Sequence, residues 1–132
     1  MPRFLHTSIF VNDMAASIDF YTKKLGLSLL NGPLHYPGNA DMAFVGSDWN
    51  SYIELVYDLE EHPPYEIGNR YEHLALEVEG DFNAFIDKLR EGGAKITSGP
   101  KKSPGGSRWI AFTEDPNGVP VELLESVNGP IT

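Results

Sequence analysis

Apolar and polar positions alternate along the chain in two matching stretches, Leu5 to Val11 and His73 to Val78. Alternation with a period of two is the mark of a strand with one face buried. Each stretch is followed by an aspartate suited to cap a helix, Asp13 and Asp81. The period then changes. Met14, Ile18, Tyr21 and Leu25 recur at helical spacing, as do Phe82, Phe85, Ile86 and Leu89, so each segment predicts a helix with one apolar stripe. Gly26 and Gly93 lie 20 residues after His6 and His73 (26 − 6 and 93 − 73), where a left-handed C-cap is expected.

The correspondence continues downstream. Ala43-Phe44 precedes Glu54-Leu55 by the step that separates Ala111-Phe112 from Glu122-Leu123. Around these pairs, 42–46, 52–57, 109–113 and 119–124 read as strands, and Asp115-Pro116-Asn117-Gly118 supplies the turn residues of a tight hairpin. Each half therefore reads β-α-β-β-β. The chain is expected to be an α+β protein, one domain over 1–132 built of module 1 (about 1–58) and module 2 (about 70–128). Asp58 to Arg70 would link the modules, and a second loop is expected over Ser98–Ser107, with Pro100, Lys101, Lys102, Pro104, Gly105 and Gly106.

Composition narrows the function. The chain has 132 residues, a formal net charge of -9 and no cysteine. That charge repels nucleic acid and anionic membrane surfaces, so neither is expected as a partner. No apolar run approaches the roughly 20 residues that span a bilayer, and the first residues do not read as a signal peptide. Without cysteine there is no disulfide, thiolate ligand or cysteine nucleophile, and a cytoplasmic location is the expectation.

The repeat brings four residues into register: His6 and His73 in the first strand of each half, Glu54 and Glu122 in the last. The separations are 48 and 49 residues (54 − 6 and 122 − 73). A lone strand histidine is ordinarily a hydrogen-bonded structural residue, and a glutamate on an alternating strand ordinarily faces water. Here the same two chemistries recur at nearly the same spacing in a duplicated chain. Imidazole and carboxylate together suit divalent ions such as Zn²⁺, Ni²⁺, Co²⁺ or Mn²⁺. His35 and His62 have no counterpart in the other half and read as surface residues. Trp49 and Trp109 read as packing residues.

The stretches His6-Thr7-Ser8-Ile9-Phe10-Val11, Ser17-Ile18-Asp19-Phe20-Tyr21, Leu25-Gly26-Leu27, Ala43-Phe44-Val45-Gly46, Ile53-Glu54-Leu55 and Asp115-Pro116-Asn117-Gly118 to Glu122-Leu123 resemble glyoxalase I (lactoylglutathione lyase) of the vicinal oxygen chelate superfamily. The resemblance implies cupped mixed sheets completed in a homodimer, with His6, Glu54, His73 and Glu122 holding one divalent metal. In it, His6 and Glu54 of one subunit would meet the other two ligands from a second copy. The short length resembles forms that favour Ni²⁺ or Co²⁺, with Zn²⁺ possible. The implied activity is methylglyoxal detoxification: a glutathione hemithioacetal is converted to the lactoyl thioester through a metal-bound enediolate. Glu122 would be the catalytic base and Glu54 its symmetric partner.

Three positions depart from the pattern. Phe10 stands where the family commonly has a carboxylate-binding arginine, Asp58 where it has asparagine, and Glu72 where it has a small residue. Arg70, Lys101, Lys102 and Arg108 are the cations left to replace the lost clamp. The alternatives are a related metal-dependent isomerase or epimerase of another thiol or thioester, and a binding protein like the bleomycin-resistance members, which would need no metal.

Overall fold

The computed structural model describes residues 1–128; the last four residues of the expected domain lie outside the described part. The chain divides into two compact units, Met1–Glu66 and Ile67–Thr132, each with a four-stranded mixed sheet. The first unit runs β1 (His6–Phe10), α1 (Met14–Asp19), β2 (Ser28–Tyr36), β3 (Ala40–Asp48) and β4 (Ser51–Asp58). The second runs β5 (Leu74–Val78), α2 (Phe82–Glu91), β6 (Ile96–Lys102), β7 (Trp109–Glu114) and β8 (Pro120–Glu125). The strand orders are β1-β4-β3-β2 and β5-β8-β7-β6, so the expected pair of βαβββ modules is present.

In each sheet the first and last strands of the module pair in parallel, and the other neighbours are antiparallel. A parallel pair needs a crossover, which the intervening helix and hairpin provide. Alternation then separates two faces. In module 1, Val11, Ala43, Val45, Ile53 and Leu55 are buried on the face covered by the helical segment. In module 2, Val121, Leu123 and Ala111 are buried in the same way, with Phe82, Ile86 and Leu89 of α2. Each buried valine, leucine, isoleucine or phenylalanine among them contributes roughly 1.5–3 kcal/mol on leaving water.

The helix ends agree with the sequence. The Asp13 carboxylate accepts from the Ala16 amide at 3.0 Å, and Asp81 accepts from Ala84 at the same distance. Gly26 and Gly93 both adopt φ of 89°. The two helices nevertheless differ by one residue: 13 positions separate Asp13 from Gly26, and 12 separate Asp81 from Gly93. Module 1 absorbs the extra residue as a π-helical turn over Phe20–Lys24, with the Leu25 amide donating to the Phe20 carbonyl at 2.9 Å. That turn rotates the buried face. Ser17, Phe20, Tyr21 and Leu25 are inside, whereas Met14 and Ile18 of the expected stripe are half-buried.

The strand after each helix, β2 and β6, carries no clean alternation and is located by the structure alone. The loop expected over Ser98–Ser107 is corrected accordingly, since β6 runs to Lys102 and only the remainder turns. Gly-Pro pairs at Gly32-Pro33 and Gly99-Pro100 interrupt the register of the two strands. Both strands lie at a sheet edge, where a proline and a bulge are tolerated. A Cβ on Gly32 would lie 2.5 Å from the Met42 carbonyl oxygen, and one on Gly99 would lie 2.7 Å from that of Ile110. Glycine is therefore required where each edge strand closes on its neighbour.

Candidate metal centre

Both modules bring their histidine to their own glutamate, and strand register explains how. His6 opens β1 opposite Tyr52, and Ser8 lies opposite Glu54. His6, Ser8 and Phe10 thus share a face with Tyr52, Glu54 and Val56, the face that the module's own helix does not cover. In module 2, His73 immediately precedes β5, and Ala75 lies opposite Glu122. The His6 Nε2 atom is 3.5 Å from Glu54 Oε2, and His73 Nε2 is 3.6 Å from Glu122 Oε1. These are diagonal neighbours on paired strands, as the repeat requires.

Each pair is partly enclosed. The glutamates are 19% and 17% exposed and the histidines 34% and 28%, leaving both accessible to a small ligand. The separations exceed the roughly 2.7–3.2 Å of a good hydrogen bond. They match instead two donors placed about 2.1 Å from one ion. The Nδ1 atoms of His6 and His73 are buried and accept or donate no hydrogen bond. An imidazole with one nitrogen buried and the other aimed at a carboxylate is a fitting donor for a divalent cation, so the residues present suit such an ion. Among the described residues no group of three or more His, Cys, Asp or Glu donors is gathered.

The two settings differ in what surrounds the pair. The His6 ring stacks on Tyr52 at 5.0 Å, and Tyr52 meets Phe44 and Trp49 at 5.9 and 5.1 Å. His73 has the edge of Phe112 at 5.5 Å. The Ser8 hydroxyl donates to Glu54 Oε1 at 3.2 Å. The exposed Glu72 places Oε1 3.4 Å from His73 Nδ1, without hydrogen-bond geometry. Trp49 touches Tyr52 and Phe44 but is 48% exposed, short of the packing role expected, and Trp109 lies under Lys102, whose Nζ sits 4.6 Å from the ring centroid.

The residues departing from the family pattern also have definite places. Phe10 is 53% exposed and stacks on Tyr65 at 4.9 Å, with His62 stacked on Tyr65 at 4.2 Å. Burial, then the charges of Asp58 and Tyr57, hold the Tyr65 phenol above its ordinary value. Of the cations proposed as a replacement clamp, Arg108 is withdrawn. It is 1% exposed, and its Nη1 donates to the Glu125 carbonyl at 3.2 Å. Lys102 is engaged with Trp109, while Arg70 and Lys101 are exposed. His35 lies on the surface 3.1 Å from Asp41, away from the alternating strands that carry the pairs.

Sequence reasoning missed Ser8, Tyr52 and Tyr65. Ser8 and Tyr52 were open to discovery, since each lies two positions from a candidate ligand on a strand and so shares its face. Tyr65 gave no signal, because it comes from the irregular linker.

Two pairs of metal-type donors on duplicated βαβββ modules define the class, and comparison with known proteins agrees. The model of the Glyoxalase/Bleomycin resistance protein/Dioxygenase superfamily matches residues 3–123, and the chain belongs to that family. Within it the chain is lactoylglutathione lyase-like. Lactoylglutathione lyase of Escherichia coli O157:H7 is 41% identical over 128 residues, covering 93% of this chain and 92% of that protein. Glyoxalase I from Zea mays superposes with a TM-score of 0.83 at 30% identity, over 97% of this chain and 46% of that one. This chain thus spans about half the length of the maize protein. Glyoxalase I of Leishmania major, described as trypanothione-dependent, gives a TM-score of 0.79 at 30% identity, over 95% of this chain and 87% of that one. Among the described residues no helix is long and apolar enough to cross a membrane.

Proposed function

We propose that this chain is a metal-dependent lactoylglutathione lyase of the glyoxalase I type, acting on the hemithioacetal of methylglyoxal and a thiol, glutathione in the first instance. The observation that carries the reading is the repeated pair: Nε2 to carboxylate at 3.5 Å in one module and 3.6 Å in the other, at equivalent strand positions. Each pair offers two donors, and a catalytic centre takes three or four, so His6, Glu54, His73 and Glu122 together would hold one ion. In this reading the two modules act as one domain over 1–132, in a homodimer of cupped sheets that shares its sites. Ni²⁺ or Co²⁺ is the proposed ion, with Zn²⁺ as the substitute. A cytoplasmic site of action completes the reading, resting on the absence of cysteine.

The bound ion would supply Lewis acidity toward two vicinal oxygens of the substrate. The rest falls to the chain. His6, at the start of β1, and His73, just before β5, keep their Nε2 atoms toward their glutamates. The Glu122 carboxylate takes the proton from the carbon bearing sulfur and returns it to the neighbouring carbon, while the hydroxyl proton passes between the adjacent oxygens. The thioester therefore contains every atom of the hemithioacetal, with no oxidant or added water. General acid–base transfer of this kind contributes roughly 10²- to 10⁴-fold.

A second reading keeps the metal and changes the carrier: an isomerase or epimerase of another thiol or thioester. Phe10 favours it, because an exposed aromatic stack stands where a carboxylate would need a cation. The deciding experiment loads the protein with Ni²⁺ or Co²⁺, counts the ion bound, and offers methylglyoxal with glutathione and then with other thiols. About one ion per site and lactoyl thioester from glutathione support the first reading. Thioester formed with another carrier alone selects the second, and full turnover after exhaustive metal removal sinks both.

A further inference from the structure

The repeat makes the two carboxylates equivalent in sequence, but their surroundings are not equivalent. At the position paired with Glu54 stands Ser8; at the position paired with Glu122 stands Ala75. The Ser8 Oγ donates to Glu54 Oε1 at 3.2 Å, while Oε2 of the same carboxylate faces His6 Nε2 at 3.5 Å. Glu54 therefore has a hydrogen bond on one oxygen in addition to the histidine that faces the other. Glu122 directs Oε1 at His73 Nε2, 3.6 Å away, and the methyl of Ala75 offers its other oxygen nothing.

We propose that Ser8 is a positioning residue that ties Glu54 down and so divides a symmetric ligand set into one fixed carboxylate and one free to move. The inference rests on the metal-dependent reading above and deepens it. At 3.2 Å the contact is longer than a strong charge-assisted bond, so its effect is to bias the Glu54 rotamer more than to stabilise its charge. A proton carrier must leave one carbon and reach the next, so the untethered glutamate is suited to carry the proton and the tethered one to hold the ion. In this chain the division of labour comes from one hydroxyl, at a position two residues from the histidine.

The test uses wild type, Ser8→Ala, Ser8→Thr and Ala75→Ser, all on the exposed face of an edge strand and checked for fold by circular dichroism. Co²⁺ affinity is read directly by its visible absorption against a competing chelator, and kcat and KM are measured with the methylglyoxal–glutathione hemithioacetal. Outer contacts to ligands are typically worth about 10- to 100-fold in metal affinity, and a partly exposed one belongs at the lower end. Ser8→Ala is expected to weaken Co²⁺ binding about 10-fold, and Ser8→Thr to restore it. Ala75→Ser installs the missing hydroxyl opposite Glu122 and is expected to lower kcat about 10-fold with KM and Co²⁺ content unchanged.

Undiminished Co²⁺ affinity in Ser8→Ala, failure of threonine to rescue it, or unaltered kcat in Ala75→Ser overturns the proposal. Wild type that binds Co²⁺ but turns over no hemithioacetal overturns the assigned activity, while the affinity series still decides the role of Ser8. Wild type that takes up no Co²⁺ overturns both.

Discussion

Module 1 and module 2 have the same topology, the same edge-strand glycines and the same histidine-to-glutamate geometry, yet their sites are built differently. In module 1 the pair sits in an aromatic and hydroxylic setting, with Tyr52 stacked on His6 and Ser8 bonded to Glu54. In module 2 the equivalent positions are Pro120 and Ala75, and the neighbour of the histidine is an exposed carboxylate, Glu72. Gly46 is part of that difference. It lies opposite Tyr52, and a Cβ there would come within 2.8 Å of the Tyr52 Cβ, whereas Glu114 lies opposite Pro120. The two modules thus keep the same histidine–glutamate pair, while the residues around it have diverged.

That contrast is broken most directly at the two glutamates. Glu122→Gln is expected to lower kcat about 10³-fold, the scale of lost general-base transfer, with Co²⁺ affinity falling less. Glu54→Gln is expected to do the reverse, weakening the metal more than turnover measured at saturating Co²⁺. Rapid-mixing or steady-state kinetics of both variants at several Co²⁺ concentrations separates these effects. Equal losses in kcat from the two substitutions would show that the modules share the proton transfer.

The next largest effect concerns the carrier. Phe10 stands on the same face as His6, four residues along β1, or about 13 Å at the rise of a strand. Phe10→Arg restores a cation there. It is expected to raise kcat/KM for the glutathione hemithioacetal about 10-fold, mainly through KM, since a charge-assisted contact is worth roughly 1.5–3 kcal/mol and part of it is screened. A fall in kcat/KM would mean that the stack of Phe10, Tyr65 and His62 itself receives the carrier.

How far these features were legible in the sequence depends on their physical origin. The helix caps at Asp13 and Asp81 and the C-terminal glycines are local chemistry, so residue type alone located them. Alternation located β1 and β5, and the repeated Ala-Phe and Glu-Leu pairs located β3, β4, β7 and β8, all within a residue or two. Strands β2 and β6 escaped because edge strands with a Gly-Pro bulge have no steady two-residue period. The four candidate ligands were visible because duplication repeats them. Arg108 was misjudged for the opposite reason: nothing local distinguishes an arginine whose guanidinium is turned inward to a carbonyl from one free at the surface. The two-residue offset from His6 puts Ser8 on the ligand face, but its partner Glu54 follows only from the pairing of β1 with β4, a contact 46 residues apart.

Equivalent glycines offer a test of what the modules still share. Gly32→Ala and Gly99→Ala each force a Cβ into the neighbouring strand at a positive φ, and about 2–4 kcal/mol is expected for each from overpacking and backbone strain together. Urea unfolding should show losses of similar size in the two variants. A large loss at one glycine and none at the other would show that the edge strands have diverged as far as the sites.

The smallest effect belongs to the helix caps, where the modules differ only in the length and regularity of the helix behind each cap. Asp13→Ala and Asp81→Ala each remove a carboxylate that accepts one amide at 3.0 Å, and about 1 kcal/mol is the usual cost. Behind Asp81 stands a regular ten-residue helix, whereas α1 has six residues before its π turn. A short helix relies more on its first turn, because fewer propagated hydrogen bonds share the cost of nucleation. Asp13→Ala is therefore expected to be the more damaging, by a few tenths of a kcal/mol, and to increase amide exchange from Ala15 through Ser17 before any global unfolding. Equal exchange in the two variants would mean that burial of Phe20 and Tyr21 alone keeps α1 in place, and that the extra residue of module 1 carries no cost in local stability.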